Sequence, residues 1–299
     1  MNYSGIYAGG IPPRMRGPKM RRGGGGGGSS YTTLEEFSIG EGADHVYAFK
    51  TSATKYDDSA GSNSLQTSPG KPQPSWYAVD DPAILYPVDG AEGTLIFNSN
   101  DGAQQQTSSG MRMDRSTDLT FAVVFQLTNT SDFAGSILGV APADFAQGGD
   151  QYIPFEIWTF NYKLSLTTPG TWYPIANTGT ATGSIGANMT VGLVARYIAA
   201  EDKVSWRLTY PGYTYAGDYQ PSDTRQVRRE DGNFVVYPYD SALNVRPKSA
   251  AAGSTSQVGF GSMPGDNSTR GMRLWHVGIW LNEALTDEQA DAFFALAGL

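Results

Sequence analysis

The strictest constraint in this sequence is an alternation of apolar with polar or small residues that recurs after residue 30. It is clearest at residues 119–127, where Leu119, Phe121, Val123, Phe125 and Leu127 occupy every second position. Successive side chains of a strand point to opposite faces, so this segment places five large apolar groups on one face. The alternation predicts β-strands and argues against a helical bundle.

Further strands follow from the same pattern. They are predicted at residues 93–98, 136–140, 155–160, 163–167, 190–198, 204–210, 257–261 and 272–281. Clusters of Asn, Asp, Gly and Pro, such as those at 98–102, 211–212 and 264–267, favour turns between them. Strands at this spacing, without helices between them, indicate an antiparallel sandwich or jelly roll rather than βαβ units.

One helix is predicted, at the C-terminal end of the sequence. Thr286 and Gln289 have the spacing of a capping box. An apolar stripe with helical spacing follows, formed by Ala290, Phe293, Phe294 and Ala297. We therefore expect this helix to bury the stripe against the sandwich and to end at Gly298.

The composition excludes several classes of protein. The 299 residues include no cysteine, which leaves no disulfide framework and no thiolate metal site. Two histidines are too few for a His-rich metal centre. No stretch approaches the roughly 20 apolar residues of a membrane-spanning helix, and the first residues lack the pattern of a signal peptide. We expect a protein that does not contact membranes.

Charge divides the chain into two parts. Residues 1–28 contain five cations and no acid, whereas the remaining chain contains 16 basic and 29 acidic residues. The acidic body is expected to repel nucleic acid, and the basic segment is suited to an acidic partner surface. Residues 1–30, which include six consecutive glycines at 23–28, are predicted to be an extended arm with a linker. Residues 31–299 are predicted to form one domain, with 31–80 peripheral.

Three interpretations of the arm remain open: a disordered tail, an attachment segment, and an RGG-like tail that binds nucleic acid. A single Arg-Arg-Gly without repetition argues against the last. Attachment to a partner protein is the hypothesis that we favour, because arginines can form paired hydrogen bonds with carboxylates and apolar residues can anchor the chain. The predicted attachment residues are Ile6, Tyr7, Ile11, Arg14, Arg16, Lys19, Arg21 and Arg22.

Residues 271–289 read Gly271-Met272-Arg273-Leu274-Trp275-His276-Val277-Gly278-Ile279-Trp280-Leu281, followed by Asn-Glu-Ala-Leu-Thr-Asp-Glu-Gln. This segment resembles the closing strand and helix of concanavalin A-like, laminin-G-like jelly rolls. Residues 118–126, 190–197, 204–210 and 257–261 resemble other strands of that family, in the family's order. The resemblance covers roughly residues 80–299. It implies an all-β antiparallel jelly-roll sandwich with one short C-terminal helix, preceded here by an extended N-terminal arm.

The sequence argues against catalysis. Glycosidases of this family related to laminarinases carry Glu-x-Asp-x-x-Glu on one strand, since retaining hydrolysis needs two carboxyl groups about 5 to 5.5 Å apart. This motif is absent from the sequence, and Glu156 has Trp158 and Phe160 where the partner carboxylates would be needed. His276, between Trp275 and Trp280, is predicted to be a packed, hydrogen-bonded histidine. We expect a protein that is not an enzyme.

Binding of a glycan is the more plausible chemistry, because sugar rings stack their C–H faces on aromatic side chains. Aromatic residues predicted to lie in loops or turns are the candidates: Trp76, Trp172, Tyr173, Tyr213 and Tyr215. Relatives of the family bind calcium through carboxylates and carbonyls. Asp57-Asp58 and Asp266-Asn267 are the candidates for such a site, but neither matches a defined calcium loop, so no cofactor is predicted.

An attachment arm, a glycine linker and a cysteine-free jelly roll together resemble a bacteriophage virion accessory protein, such as a head decoration, head fibre or tail appendage. This resemblance implies assembly into the virion in the host cytoplasm, other virion proteins as partners of the arm, and a symmetric or homo-oligomeric assembly. Host cell-surface polysaccharide is the expected ligand. Two alternatives remain: a carbohydrate-binding module of a bacterial surface system, which should carry an export signal, and a glycoside hydrolase.

Overall fold

The structure is a computed structural model, and it describes most of the chain after residue 30. The described residues are 31–98, 100–107, 118–130, 135–142, 155–160, 162–168, 171–201, 203–219, 224–228, 234–238, 256–261 and 271–299. The predicted attachment residues of the arm and the calcium candidates Asp266 and Asn267 lie outside these ranges.

The described residues contain seventeen strands and two α-helices. The strands are β1 (His45–Tyr47), β2 (Leu65–Thr67), β3 (Ser75–Ala78), β4 (Gly93–Phe97), β5 (Gly102–Gln105), β6 (Leu119–Leu127), β7 (Gly135–Pro142), β8 (Phe155–Phe160), β9 (Lys163–Thr168), β10 (Thr171–Asn177), β11 (Thr190–Ile198), β12 (Lys203–Tyr210), β13 (Tyr213–Tyr219), β14 (Thr224–Arg228), β15 (Phe234–Pro238), β16 (Ser256–Gly261) and β17 (Met272–Leu281). The helices are α1 (Leu34–Gly40) and α2 (Asp287–Leu296).

Two antiparallel sheets form the body of the described chain. The eight-stranded sheet has the order β13-β12-β11-β6-β17-β4-β3, with β1 also paired to β17, and the seven-stranded sheet has the order β10-β9-β8-β7-β16-β5-β2. β17, the last strand of the chain, lies between β6 and β4 and is therefore central. Strands distant in sequence lie side by side in both sheets, as in a jelly roll, which confirms the predicted fold class.

The nine predicted strands are all present, and each agrees with the structure to within two residues at either end. Shorter elements were not predicted, among them α1, β1, β2 and β3 in residues 31–80. The three strands contribute to both sheets, because β1 pairs with β17, β3 with β4 and β2 with β5. The described part of Tyr31–Leu299 forms one compact unit.

The main core lies between the two sheets. The five alternating apolar residues of β6 all belong to it and are at most 4% exposed: Leu119, Phe121, Val123, Phe125 and Leu127. The other face of β6 is also buried, since Ala122 and Val124 belong to a second apolar cluster beneath the helices. β6 therefore has large apolar residues toward the partner sheet and smaller residues toward the helices.

α2 covers the outer face of the eight-stranded sheet as the sequence predicted. The Thr286 hydroxyl accepts a hydrogen bond from the Gln289 backbone, and the Gln289 side chain accepts one from the Thr286 backbone, which completes the capping box. The stripe residues Ala290, Phe293, Phe294 and Ala297 are all buried. Gly192 of β11 lies directly under Phe294, at a point where a Cβ atom would approach the ring to 2.7 Å.

Candidate functional site

The aromatic candidates for glycan binding lie in strands, not in the loops or turns where the sequence placed them. Trp76 belongs to β3, Trp172 and Tyr173 belong to β10, and Tyr213 and Tyr215 belong to β13. Trp172 and Tyr173 pair with Thr167 and Leu166 of β9. All three are edge strands, β3 and β13 of the eight-stranded sheet and β10 of the seven-stranded sheet. Pairing with one neighbouring strand, rather than a clear apolar alternation, makes these segments strands.

Trp76 is part of the packing of the sandwich. Its indole nitrogen donates a hydrogen bond of 2.7 Å to the Phe49 carbonyl, and its half-buried ring packs against the core. The ring also covers Gly93, where a Cβ atom would lie only 2.7 Å from the indole nitrogen. The structure therefore assigns this tryptophan to strand packing, and it does not lie beside the other described aromatic candidates.

Tyr213 and Tyr215, in contrast, form one cluster with Tyr210, which we call the tyrosine cluster. The Tyr213 and Tyr215 rings have centroids 6.1 Å apart and planes within 5° of parallel. Tyr210 stacks on Tyr213 with a centroid distance of 5.2 Å. Tyr213 and Tyr215 share one face of β13 because they are two residues apart, and both remain half-buried at the edge of the sheet. Both rings also pack against the main core, so the cluster combines core packing with a partly exposed aromatic surface at the edge of the sheet.

Loop 178–189, which joins β10 to β11, contacts this cluster. The Tyr210 hydroxyl donates a hydrogen bond of 2.8 Å to the Gly183 carbonyl. Gly183 has a φ of +80°, a conformation that favours glycine, and it faces the Tyr213 ring. Burial raises the pKa of Tyr210, so its hydroxyl stays protonated as a donor. The loop thus fixes the innermost ring of the cluster.

The Asp57-Asp58 calcium candidate has a structural role instead. The Asp58 carboxylate accepts hydrogen bonds from His45 Nδ1 at 2.6 Å, from the Val46 and Gly61 amides at 2.9 Å, and from the Ala60 and Asn63 amides at 3.3 and 3.2 Å. Burial raises the pKa of Asp58, but the hydrogen bonds from His45 and the amides outweigh this effect and hold the pKa below its usual range. Its oxygens are occupied by donors, so it organises the loop after β1.

Metal ligands do not cluster elsewhere in the described part of the chain, where no three His, Asp or Glu side chains are placed to hold one ion. The same residues contain no helix that is long and apolar enough to cross a membrane.

His276 is packed as the sequence predicted. It is 2% exposed, lies 2.9 Å from the Ser38 hydroxyl through Nε2, and packs beside the ring of Phe293. Burial lowers the pKa of His276 to about 3, so the imidazole is neutral in the folded protein. This histidine joins α1, β17 and α2 and is inaccessible to a substrate.

Glu156 lies in β8, and the strand register defines its neighbours. The residue opposite it on β7 is Gly139, and the residue opposite it on β9 is Thr167. Neither can supply the second carboxyl group that glycoside hydrolysis requires at about 5 to 5.5 Å. The register therefore places no carboxylate directly opposite Glu156 on either neighbouring strand.

Comparisons with known proteins show the fold. No protein-family model and no curated protein matches the chain. The binding domain of Paraclostridial Mosquitocidal Protein 1 is similar with a TM-score of 0.51 and 12% identity, over 86% of this chain and 52% of that one. The binding domain of Botulinum Neurotoxin DC in complex with SialylT has a TM-score of 0.51 and 7% identity, with the same coverage. This chain spans about half the length of both.

Peanut lectin is also similar, over 74% of this chain and 93% of its own, with 8% identity. Its TM-score of 0.39 is too low to carry an argument. The topology and the two binding domains together define the fold: an antiparallel jelly-roll sandwich.

Proposed function

We propose that this protein is a non-enzymatic, glycan-binding component of a bacteriophage virion, attached by residues 1–30 and presenting the jelly roll to polysaccharide on the host surface. The observation that carries the glycan-binding part is the tyrosine cluster. Tyr213 and Tyr215 present nearly parallel rings at the edge of a sheet, and flat aromatic surfaces of this kind suit the C–H faces of sugar rings.

The similar solved structures support a binding role of this kind. Both are binding domains, and one of them was determined in complex with SialylT. Attachment to a virion is supported by the sequence: an arm with five cations and no acid precedes six glycines and an acidic body. A non-catalytic role is supported by the neighbours of Glu156, which are a glycine and a threonine.

Binding of the full-length protein to an array of bacterial polysaccharides tests the glycan-binding part. Tyr213→Ala should lower the affinity for the bound glycan at least about tenfold, whereas Tyr213→Phe, which keeps the ring, should keep most of it. Tyr162→Ala is the matched control, since Tyr162 is exposed in the turn between β8 and β9 and lies outside the cluster. Melting temperatures of all variants separate lost binding from lost folding.

Two outcomes would contradict the proposal. If Tyr213→Ala binds the glycan as tightly as the wild type, the tyrosine cluster is not part of the binding surface. Hydrolysis of a polysaccharide that is lost in Glu156→Gln would favour the glycoside hydrolase instead.

A further inference from the structure

Arg273 differs from Arg196 and Arg207 in its partners. Arg196 forms an ion pair with Asp287, and Arg207 forms ion pairs with Asp287 and Asp291. Arg273, in β17, forms no ion pair with any described carboxylate. Its Nη1 instead donates hydrogen bonds to two amide oxygens, Asn188 Oδ1 at 2.9 Å and Gln126 Oε1 at 3.2 Å.

The guanidinium of Arg273 is consequently left with unused donors. Its Nε is buried without a hydrogen-bond partner, as is the Nε of Arg196 and of Arg207, and its Nη2 donates to no described residue. Arg273 differs from those two arginines in that no described carboxylate offsets its charge. Burial lowers the pKa of Arg273, and the nearby Tyr86 phenol opposes this shift. Partial burial of a cation costs solvation free energy, which only an opposite charge or full hydrogen bonding offsets. Arg273 has neither among the described residues.

Neighbouring residues hold this arginine in position. The Gln126 amide nitrogen donates to the Tyr86 carbonyl at 2.7 Å and to the Thr190 hydroxyl at 3.0 Å, which turns its oxygen toward Arg273. Asn188 has a φ of +60°, an unusual conformation for a residue with a side chain, and Asn tolerates it better than most. The side-chain amides of Gln126 and Asn188 therefore hold the guanidinium in a defined position.

An exposed apolar surface lies beside the guanidinium. Leu85 and Tyr86 are 69% and 50% exposed, although the flanking residues Ile84 and Val88 are buried under the second apolar cluster. The Tyr86 backbone is joined to Gln126, the same residue that contacts Arg273. Leu85 and Tyr86 thus form a small exposed apolar surface between two buried anchors. We call Arg273, Gln126, Asn188, Leu85 and Tyr86 the Arg273 site.

We propose that the Arg273 site binds a carboxylate-bearing sugar, with the carboxylate on the guanidinium and the sugar ring against Leu85 and Tyr86. This inference rests on the proposed glycan-binding function and names the class of sugar. The planar guanidinium matches a carboxylate through two parallel hydrogen bonds. The body is acidic, since its 29 acidic residues outnumber the basic ones. This negative charge would repel a doubly charged phosphate more strongly than a singly charged carboxylate, which a single arginine can neutralise.

The Arg273 site and the tyrosine cluster lie at the same end of the eight-stranded sheet. Gln126 is in register with Thr190 at the start of β11, and Thr209, beside Tyr210, is in register with Gly192 two residues later. Loop 178–189 contacts both, through Gly183 at the tyrosines and Asn188 at the arginine. The two groups face opposite sides of the sheet, because the tyrosines pack against the core between the sheets, whereas Gln126 and Arg273 alternate with core residues and face the helix side. A sugar at the Arg273 site is therefore separate from one at the tyrosine cluster, although loop 178–189 contacts both sites.

Calorimetry with matched acidic and neutral sugars tests the inference on the full-length protein. The probes are oligogalacturonate against its methyl ester and sialyllactose against lactose. The acidic member of at least one pair should bind at least about tenfold more tightly, and added salt should reduce that advantage. Arg273→Gln should remove the advantage, so that the acidic and neutral members bind with equal affinity, whereas Arg273→Lys should keep part of it because the charge remains.

Lys203→Gln is the matched control, since it removes a cation at the opposite end of β12 that is already paired with Glu201 and Asp218. It should leave the acidic advantage unchanged. Melting temperatures of Arg273→Gln and Arg273→Lys establish that both variants are folded.

The outcomes separate this inference from the proposed function. If the wild type binds the neutral and acidic members equally, and Tyr213→Ala binds neither, the inference is wrong. The proposed glycan binding would then still stand. An acidic advantage that survives in Arg273→Gln would also overturn it. Failure of every sugar to bind would overturn both proposals, and binding of poly-glutamate alone through Arg273 would assign the site to an acidic protein partner instead.

Discussion

Phe293 of α2 packs against Phe37 of α1, with ring centroids 6.0 Å apart and planes inclined at 54°. This contact joins a helix near the start of the described chain to the helix at its end. Both rings are almost fully buried over the eight-stranded sheet, and the Gln289 side chain donates a further hydrogen bond of 2.6 Å to Glu41. The two helices therefore form one layer that covers the outer face of this sheet.

Replacement of Phe293 by alanine tests that layer. The ring is fully buried, so Phe293→Ala should lower the free energy of unfolding by about 3 to 5 kcal/mol, through lost apolar burial and the cavity left behind. Denaturant titration measures the change. Leu85→Ala removes an exposed apolar side chain and should stay within about 0.5 kcal/mol of the wild type. A Phe293→Ala protein as stable as the wild type would disprove the docking of α2.

Protonation of His276 should make stability depend on pH. The pKa is about 3 in the folded protein and near 6.5 when the chain is unfolded, so only the unfolded state binds the proton between these values. The free energy of unfolding should consequently fall as pH decreases from about 6.5 toward 3, with a slope of up to about 1.4 kcal/mol per pH unit. Denaturation at several pH values should show a flatter dependence in His276→Gln, and identical slopes would contradict the prediction.

The long strands were predictable because their signal is local. β6 shows the alternation over all nine of its residues, and the structure reproduces that range without change. The predicted range of β17 is also reproduced, although a bulge between Leu274 and His276 interrupts its alternation. β1 and β2 have three residues each, too few to show a period, and they form because β17 and β5 offer edges for pairing. Tertiary context, rather than local propensity, decides such strands.

α1 had a signal that was overlooked. Thr33 caps the helix by accepting from the Glu36 amide, and the spacing of Thr33 and Glu36 is that of a capping box. The candidate site was predictable only in part. Tyr213 and Tyr215 are two residues apart on one strand, so a local pattern can bring them together. Arg273 instead contacts Gln126 and Asn188, which lie 147 and 85 positions earlier in the chain, so no local pattern indicates its surroundings.

Removal of the charge of Asp58 should destabilise the loop after β1. Asp58→Asn replaces one acceptor oxygen by a donor in a group that accepts five hydrogen bonds, so we expect a loss of about 1 to 3 kcal/mol in the free energy of unfolding. Asp57→Asn, at the exposed neighbouring position, should have little effect. The difference should be the same with calcium and with a chelator, and a difference that vanishes on chelation would identify Asp58 as a calcium ligand.

Deletion of residues 1–22 tests the proposed attachment arm. The truncated protein should melt cooperatively at the wild-type temperature, because the sandwich supplies its own core and a glycine linker transmits little force. It should, however, be absent from purified particles, since the arm's cations and apolar residues are proposed to bind an acidic groove of another virion protein. Incorporation should also weaken when glutamine replaces four arginines, Arg14, Arg16, Arg21 and Arg22. Added salt should weaken incorporation of the wild type similarly, because exposed ion pairs are screened over about 8 Å at physiological ionic strength. Incorporation of the truncated protein at full occupancy would instead assign attachment to the jelly roll.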